Sequence, residues 1–276
     1  MEWKISFISY EDFKDHVTKT IESYGDKLKP FDVQKFNSNI IDPIKMVFDK
    51  AVYNKDWEEL INSEIFRQRD KSNTNEIGYF HQKIFSYIEN CTVPANGQQG
   101  GWDVIYKPET PISIDENNKV STVYVEMKNK HNTMNSSASA KTYLKMQAQL
   151  LSDDDCACFL VEAIAKHSQS IIWQTTVDKM KVSHRKIRRV SLDKFYELVT
   201  GEEDAFFQIC KVLPAVVAEV INEKSNILTI PKDTVYDDLK KIAGKFTKLD
   251  ADQAMIMSMY LLGFSEYGGF KELAPK

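Results

Sequence analysis

Asp103, Glu126 and Lys128 are the residues whose types and spacing best suit chemistry. Glu126 and Lys128 stand two apart in the run Val120 to Lys130, which reads as a strand. Val123, Val125 and Met127 form one face of it, and Tyr124, Glu126 and Lys128 form the other. Both charged side chains then leave one face roughly 7 Å apart. Asp103 begins a second short strand, Trp102-Asp103-Val104-Ile105-Tyr106, and the polar turn around Asp115 to Lys119 makes the two strands a hairpin candidate. Two carboxylates and an ammonium would converge at a strand end. Hydrolysis of a phosphodiester uses such a set, because carboxylates hold Mg²⁺, which neutralises the phosphate and activates a water. An adjacent lysine orients that water or stabilises the developing charge. An edge hairpin with a charged outer face fits the same spacing, so context must separate the two.

The elements around these residues supply that context. Upstream, Phe13, Val17, Ile21 and Tyr24, then Ile40, Ile44, Val47 and Phe48, then Trp57, Leu60 and Ile61 recur at helical spacing, with Pro30 and Pro43 as punctuation. Asn73 or Thr74 is placed to cap a further helix carrying Ile77, Phe80, His81, Ile84, Phe85 and Ile88, which puts Glu76 in its first turn. The glycine-rich approach Asn96-Gly97-Gln98-Gln99-Gly100-Gly101 leads into Trp102. Downstream, Ser136 to Leu151 is a helix by composition, and Cys156 to Ala165 is a buried strand by its nearly continuous apolar run. Ile171 to Val177 suits another strand. Ser191 is placed to cap a short helix, and Thr200 with Glu203 matches a capping box before a helix running to about Asn222. Helices near Val235 to Phe246 and Asp250 to Phe264 complete the chain.

Composition narrows the class. The 276 residues hold only 10 Gly and 8 Pro, which excludes collagen-like chains and favours helices. No continuous apolar run approaches the ~18 residues that span a bilayer, so the expectation is a cytoplasmic protein with no membrane partner. Cys91, Cys156, Cys158 and Cys210 fit neither a zinc site nor a disulfide framework. A formal net charge of -4 rules out a uniformly basic coat, so any nucleic-acid surface must come from local clustering.

The Asp103, Glu126, Lys128 set, followed by a helix and a buried strand, resembles the PD-(D/E)XK nuclease core, although Trp102 stands where the motif has its proline. Tyr124-Val-Glu-Met-Lys-Asn-Lys-His-Asn-Thr-Met-Asn-Ser-Ser137, Ile77-Gly-Tyr-Phe-His-Gln82 and Gly100-Gly-Trp-Asp103 are more specific. Across about 67–201 the chain resembles type II restriction endonucleases of the group that cleaves GGNCC or GGWCC sites. The resemblance implies an α/β fold, with a central mixed β-sheet flanked by helices and additional N-terminal and C-terminal helices. It implies Mg²⁺-dependent cleavage of double-stranded DNA, a homodimer, a bacterial cytoplasmic setting, and a cognate DNA methyltransferase as a separate protein. Under it Asp103 and Glu126 match the metal-binding acids and Lys128 the catalytic lysine. Glu76 is a further metal candidate, against its reading as a dipole-favouring first-turn acid, and His81 is a candidate phosphate contact against a packed histidine. One endonuclease domain over 1–276 is expected, with an N-terminal helical part (1–70), a nuclease core (71–200) and a C-terminal helical part (201–276).

Two polar segments are candidates for reading DNA. Lys130, His131, Asn132, Thr133 and Asn135 begin where the catalytic strand ends and would lie beside the scissile phosphate. Arg185, Lys186, Arg188 and Arg189, with Lys179, Lys181 and His184, form a dense basic segment suited to phosphates or guanine edges, or simply to solvent as a loop between strands. Lys141 and Lys145, four apart, lie on one face of the helix after the catalytic strand and are weaker candidates for the same surface. The face carrying Phe206, Ile209, Leu213, Val216, Val217 and Val220 suits either core packing or a dimer interface. Structure-selective or repair cleavage, and DNA binding by a protein with a vestigial site, stand as alternatives.

Overall fold

A computed structural model describes residues 2–27, 29–95, 97–224, 232–267 and 269–270. Asn96 of the glycine-rich approach lies outside the described residues. In chain order the elements are α1 (Tyr10–Lys27), α2 (Val33–Asn37), α3 (Pro43–Tyr53), α4 (Trp57–Lys83), β1 (Cys91–Thr92), β2 (Val104–Tyr106), β3 (Ile112–Asp115), β4 (Asn118–Val120) and β5 (Thr122–Lys130). Then follow α5 (Ser136–Ser152), β6 (Cys156–Ile164), β7 (Ser170–Val177), β8 (Met180–Ser191), α6 (Leu192–Thr200), α7 (Ala205–Glu223), α8 (Val235–Ala243) and α9 (Ala251–Phe264). They divide into two compact units, 1–22 with 76–223, and 23–75 with 224–276. The division differs from the expected three consecutive parts, since its boundaries fall within α1 and α4.

The first unit is built on a six-stranded sheet of order β1-β2-β5-β6-β8-β7. Strands β5, β6 and β8 run parallel, while β1, β2 and β7 pair antiparallel, so the sheet is mixed and flanked by helices as expected. Strands β2 and β5 do pair antiparallel, with Val104 opposite Val125. Their connection is more than a turn, because it folds its own two-stranded ribbon, β3 with β4. On one sheet face Val104, Val123, Val125, Phe159, Val161 and Val190 join Phe13 and Val17 of α1, Phe195 and Tyr196 of α6, and Ile209, Val216 and Val220 of α7 in a continuous core. The α7 face therefore packs the core. The other face carries Ile105, Cys158, Leu160 and Ile187 under Tyr143 and Met146 of α5, with Trp102 and Trp173 beside them.

Several local expectations change in the structure. Helix α4 runs unbroken from Trp57 to Lys83, so Asn73 and Thr74 cap nothing and Glu76 is an interior position, not a first-turn acid. The basic segment 180–191 is the strand β8, held by β6 on one side and β7 on the other, and not a loop. Ser191 does sit at the N-cap of α6, but its hydroxyl accepts from the Gln169 amide (2.9 Å). Thr200 Oγ1 accepts from Glu202 N (3.1 Å) rather than closing a box with Glu203. By length and composition α7 passes as a membrane-spanning helix, which a search for continuous apolar runs misses because Lys211, Glu219 and Glu223 interrupt it.

The second unit has its own core of Phe31, Phe36, Ile61, Ile65, Val235, Leu239 and Met259. Asp42 caps α3, with Pro43 preset for its first turn, and Asp250 caps α9. Arg69 grips Asp233 through both terminal nitrogens (2.9 and 2.7 Å).

Candidate active site

Strand alternation projects Glu126 and Lys128 from the α5 face, as expected, and the β2–β5 pairing brings Asp103 alongside. The backbone N–H of Asp103 donates to the Val125 carbonyl (2.9 Å), extending the ladder by one residue. Its carboxylate Oδ2 accepts from the Met127 N–H (2.6 Å), and its own carbonyl accepts from Gln82 Nε2 (3.1 Å). Backbone and side chain of Asp103 are thus both fixed. Glu126 Oε1 takes the Lys128 ammonium (2.8 Å), and Glu126 Oε2 takes the ammonium of Lys145 on α5 (2.9 Å). Lys145 also donates to the Gly101 carbonyl (2.8 Å) and sits 4.1 Å from the centre of the Trp102 ring.

The two carboxylates are driven in opposite directions. Burial raises the Asp103 pKa, and the nearby Glu126 charge adds to that, against the Met127 hydrogen bond. Burial also disfavours ionised Glu126, but hydrogen bonds from Lys128 and Lys145 outweigh it and hold that carboxyl below its ordinary value. Each oxygen of Glu126 already carries a cation, so the site is built for positive charge. Among the described residues no cluster of three or more His, Cys, Asp and Glu side chains forms a metal site. Two carboxylate donors suit Mg²⁺, which keeps several waters and is held through one or two carboxylates.

Trp102, in the position of the motif's proline, is 3% exposed and donates from Nε1 to Gln149 Oε1 (3.1 Å). Gly100 lets it seat there, with φ at +75° and a Cβ at that position only 3.2 Å from Trp102 Nε1. Gly78 of α4 lies against the Asn129 side chain, which a Cβ would approach to 3.4 Å. His81 is desolvated, which lowers its pKa, and its ring packs edge-on to Phe80 (5.6 Å).

The loop after β5 is exposed at His131, Asn132 and Thr133, and Lys130 at the strand's end is exposed too. Asn135 is committed elsewhere, since its Oδ1 caps α5 at Ala138 N (2.9 Å). The basic cluster is not brought together as a unit. Arg189 shares the α5 face, but its Nε and guanidinium nitrogen bind Glu162 Oε1 (2.9 and 2.6 Å) and the His131 carbonyl (2.8 Å). Arg188 points to the opposite face, where it is 7% exposed and meets Asp115 (3.4 Å) and Ser170 (3.2 Å). Arg185 and Lys186, with His184, line a cleft of about 580 Å³ against Gln147, Leu150, Leu151 and Asp154. By strand spacing and rise the cleft lies roughly 14 Å from Glu126. The Lys186 ammonium is held by the Asp154 carbonyl.

Glu162 and Gln82 escape sequence reasoning, and Lys145, a candidate there for the DNA surface, instead binds Glu126. Lys145 reads as an exposed surface cation until α5 is laid over β5. Glu162 interrupts an apolar strand run, which is the one signal that a partner for it had to exist.

The profile of the Eco47II restriction endonuclease family matches residues 5–222. The chain is 32% identical over 228 residues to the type II restriction enzyme Sau96I of Staphylococcus aureus, covering 80% of this chain and 82% of that protein. It is 29% identical over 232 residues to the type II restriction enzyme Eco47II of Escherichia coli, covering 80% of this chain and 89% of that protein. With the profile spanning well over half its length, the chain belongs to the Eco47II restriction endonuclease family.

Proposed function

We propose that this type II restriction endonuclease hydrolyses double-stranded DNA with Mg²⁺ at a short palindromic site, GGNCC or GGWCC. The observation that carries the reading is the convergence of Asp103, Glu126 and two lysine ammoniums at one point of the sheet. Asp103 and Glu126 would hold the metal, which supplies charge neutralisation at the phosphate and a water of lowered pKa. Asp103 is kept in place by the Met127 amide, so its carboxylate needs no reorganisation when it accepts a cation. Glu126 stays ionised at neutral pH because the lysines oppose its burial. Lys128, 2.8 Å from Glu126, orients the attacking water or steadies charge on the phosphate.

For DNA contact we favour Lys130, His131, Asn132 and Thr133, exposed and beside the acids, with Arg185 and Lys186 at the more distant cleft. Arg189, Arg188 and Asn135 hold the protein's own structure. A homodimer presenting one site to each strand suits a palindrome. The setting is the bacterial cytoplasm, with a separate methyltransferase protecting host DNA.

Digestion of an unmethylated, sequenced plasmid with Mg²⁺, followed by end-sequencing, tests this reading. Fixed ends at one palindrome, lost on EDTA, are expected. Smears or cutting confined to flaps and junctions would assign the chemistry to structure-selective cleavage, and intact plasmid with salt-sensitive binding would make the protein a binder.

A further inference from the structure

We propose that Lys145 is a placeholder cation, occupying the Glu126 carboxylate that the divalent ion must share and yielding it when the ion binds. The inference rests on the metal-dependent reading above and assigns the metal-free state of the same site.

The Lys145 ammonium is seated in a cation cage, not merely paired. A carboxylate oxygen lies at 2.9 Å, a backbone carbonyl at 2.8 Å and an indole face at 4.1 Å. The cage is rigid, because Trp102 is buried and tied to Gln149, one turn beyond Lys145 on the same helix face. Lys128 satisfies the other oxygen of Glu126, so the two acids and two ammoniums are formally neutral together. A divalent ion added to that set would leave two uncompensated charges in a partly buried pocket, where charge interactions are several-fold stronger than in water. One ammonium must withdraw. The two ammoniums are equally exposed (29%), but Lys128 leaves from the same strand two residues from Glu126, whereas Lys145 reaches in from a separate element, α5. Lys145 is therefore the one that moves, and it acts as a positioning residue through Glu126.

Mn²⁺ titration of the full-length protein without DNA, with free ion counted by electron paramagnetic resonance, tests the proposal without any turnover. Lys145→Met and Lys145→Gln should each bind Mn²⁺ more tightly than wild type, on the order of tenfold, as removal of a competing like charge predicts. Lys145→Arg, which keeps the charge, and Lys141→Met, which removes an exposed charge one turn away, should retain wild-type affinity. Glu126→Ala should lose the binding. Lys145→Met and Lys145→Gln affinities equal to or weaker than wild type, with Glu126→Ala still deficient, would overturn the placeholder and leave the metal reading standing. Equal Mn²⁺ binding by wild type and Glu126→Ala would instead overturn the metal reading at this carboxylate, and the placeholder with it.

Discussion

The two faces of the central sheet are made from the same strands to opposite ends. On β5, Val123 and Val125 are fully buried against α1, α6 and α7, whereas the Glu126 and Lys128 side chains that follow on the other face keep 16% and 29% exposure. Strand β6 repeats the contrast, with Phe159 and Val161 on the apolar face and Glu162 on the other. The apolar face supplies stability through burial, which has no direction. The α5 face keeps charges at fixed points, and each is held by a named partner. The buried valines and the charged spot on β5 are thereby separated by one residue of register, so a shift of that register would bury the charges and expose the valines.

Substitutions on either face should therefore fail in different ways. The largest effect is expected from Lys128→Ala, which should lower the cleavage rate about 10²- to 10⁴-fold while DNA affinity, measured by gel shift with Ca²⁺, changes little. Loss of affinity as large as the loss of rate would make Lys128 a phosphate clamp. On the apolar face, Phe159→Ala should lower unfolding stability by about 3–5 kcal/mol in urea, with cleavage per folded molecule retained. Cleavage lost without destabilisation would contradict the separation.

A smaller effect belongs to His16, which stacks on Phe80 and bonds its carbonyl (3.0 Å) within the apolar face. Burial outweighs that bond and depresses its pKa from 6.5 to about 4. The unfolded chain thus takes up the proton first, and stability should fall by about 3 kcal/mol as pH drops from about 6.5 to about 4. His16→Phe should flatten that part of the profile; an unchanged slope would place the acid sensitivity elsewhere. Least is expected of Glu162→Ala. Removing one partner of a buried pair costs about 3–5 kcal/mol, but Arg189 is 29% exposed and can hydrate, so the loss should fall below that range. The freed His131 carbonyl should also loosen the loop, seen as faster amide exchange at His131 to Thr133.

Legibility in the sequence followed the same division. Strand alternation located Glu126 and Lys128, and a chemically sensible partner strand located Asp103, because period-two patterning is local. Lys145 is legible only as a candidate DNA-surface cation and not as a partner of Glu126, because that contact comes from α5 lying over β5. Arg188 and Arg189 looked equivalent, yet adjacent strand positions face opposite ways, and β8 was not recognisable as a strand. Its pattern is broken where Ile172 and Gln174 of β7 pair with Arg188 and Ser183, leaving extra residues on β8. The continuity of α4 through Asn73, Thr74 and Asn75 was hidden because those residues favour caps over helix interiors, and tertiary packing overrides that preference.

The central claim is that the charged spot on the α5 face exists for cleavage and not for stability, and Glu126→Gln tests it most directly. Plasmid cleavage with Mg²⁺ and thermal unfolding should be measured on the same preparation. The account predicts at least about a 10³-fold loss of cleavage with an unfolding temperature within a few degrees of wild type. Retained cleavage, or lost cleavage accompanied by unfolding, would contradict it.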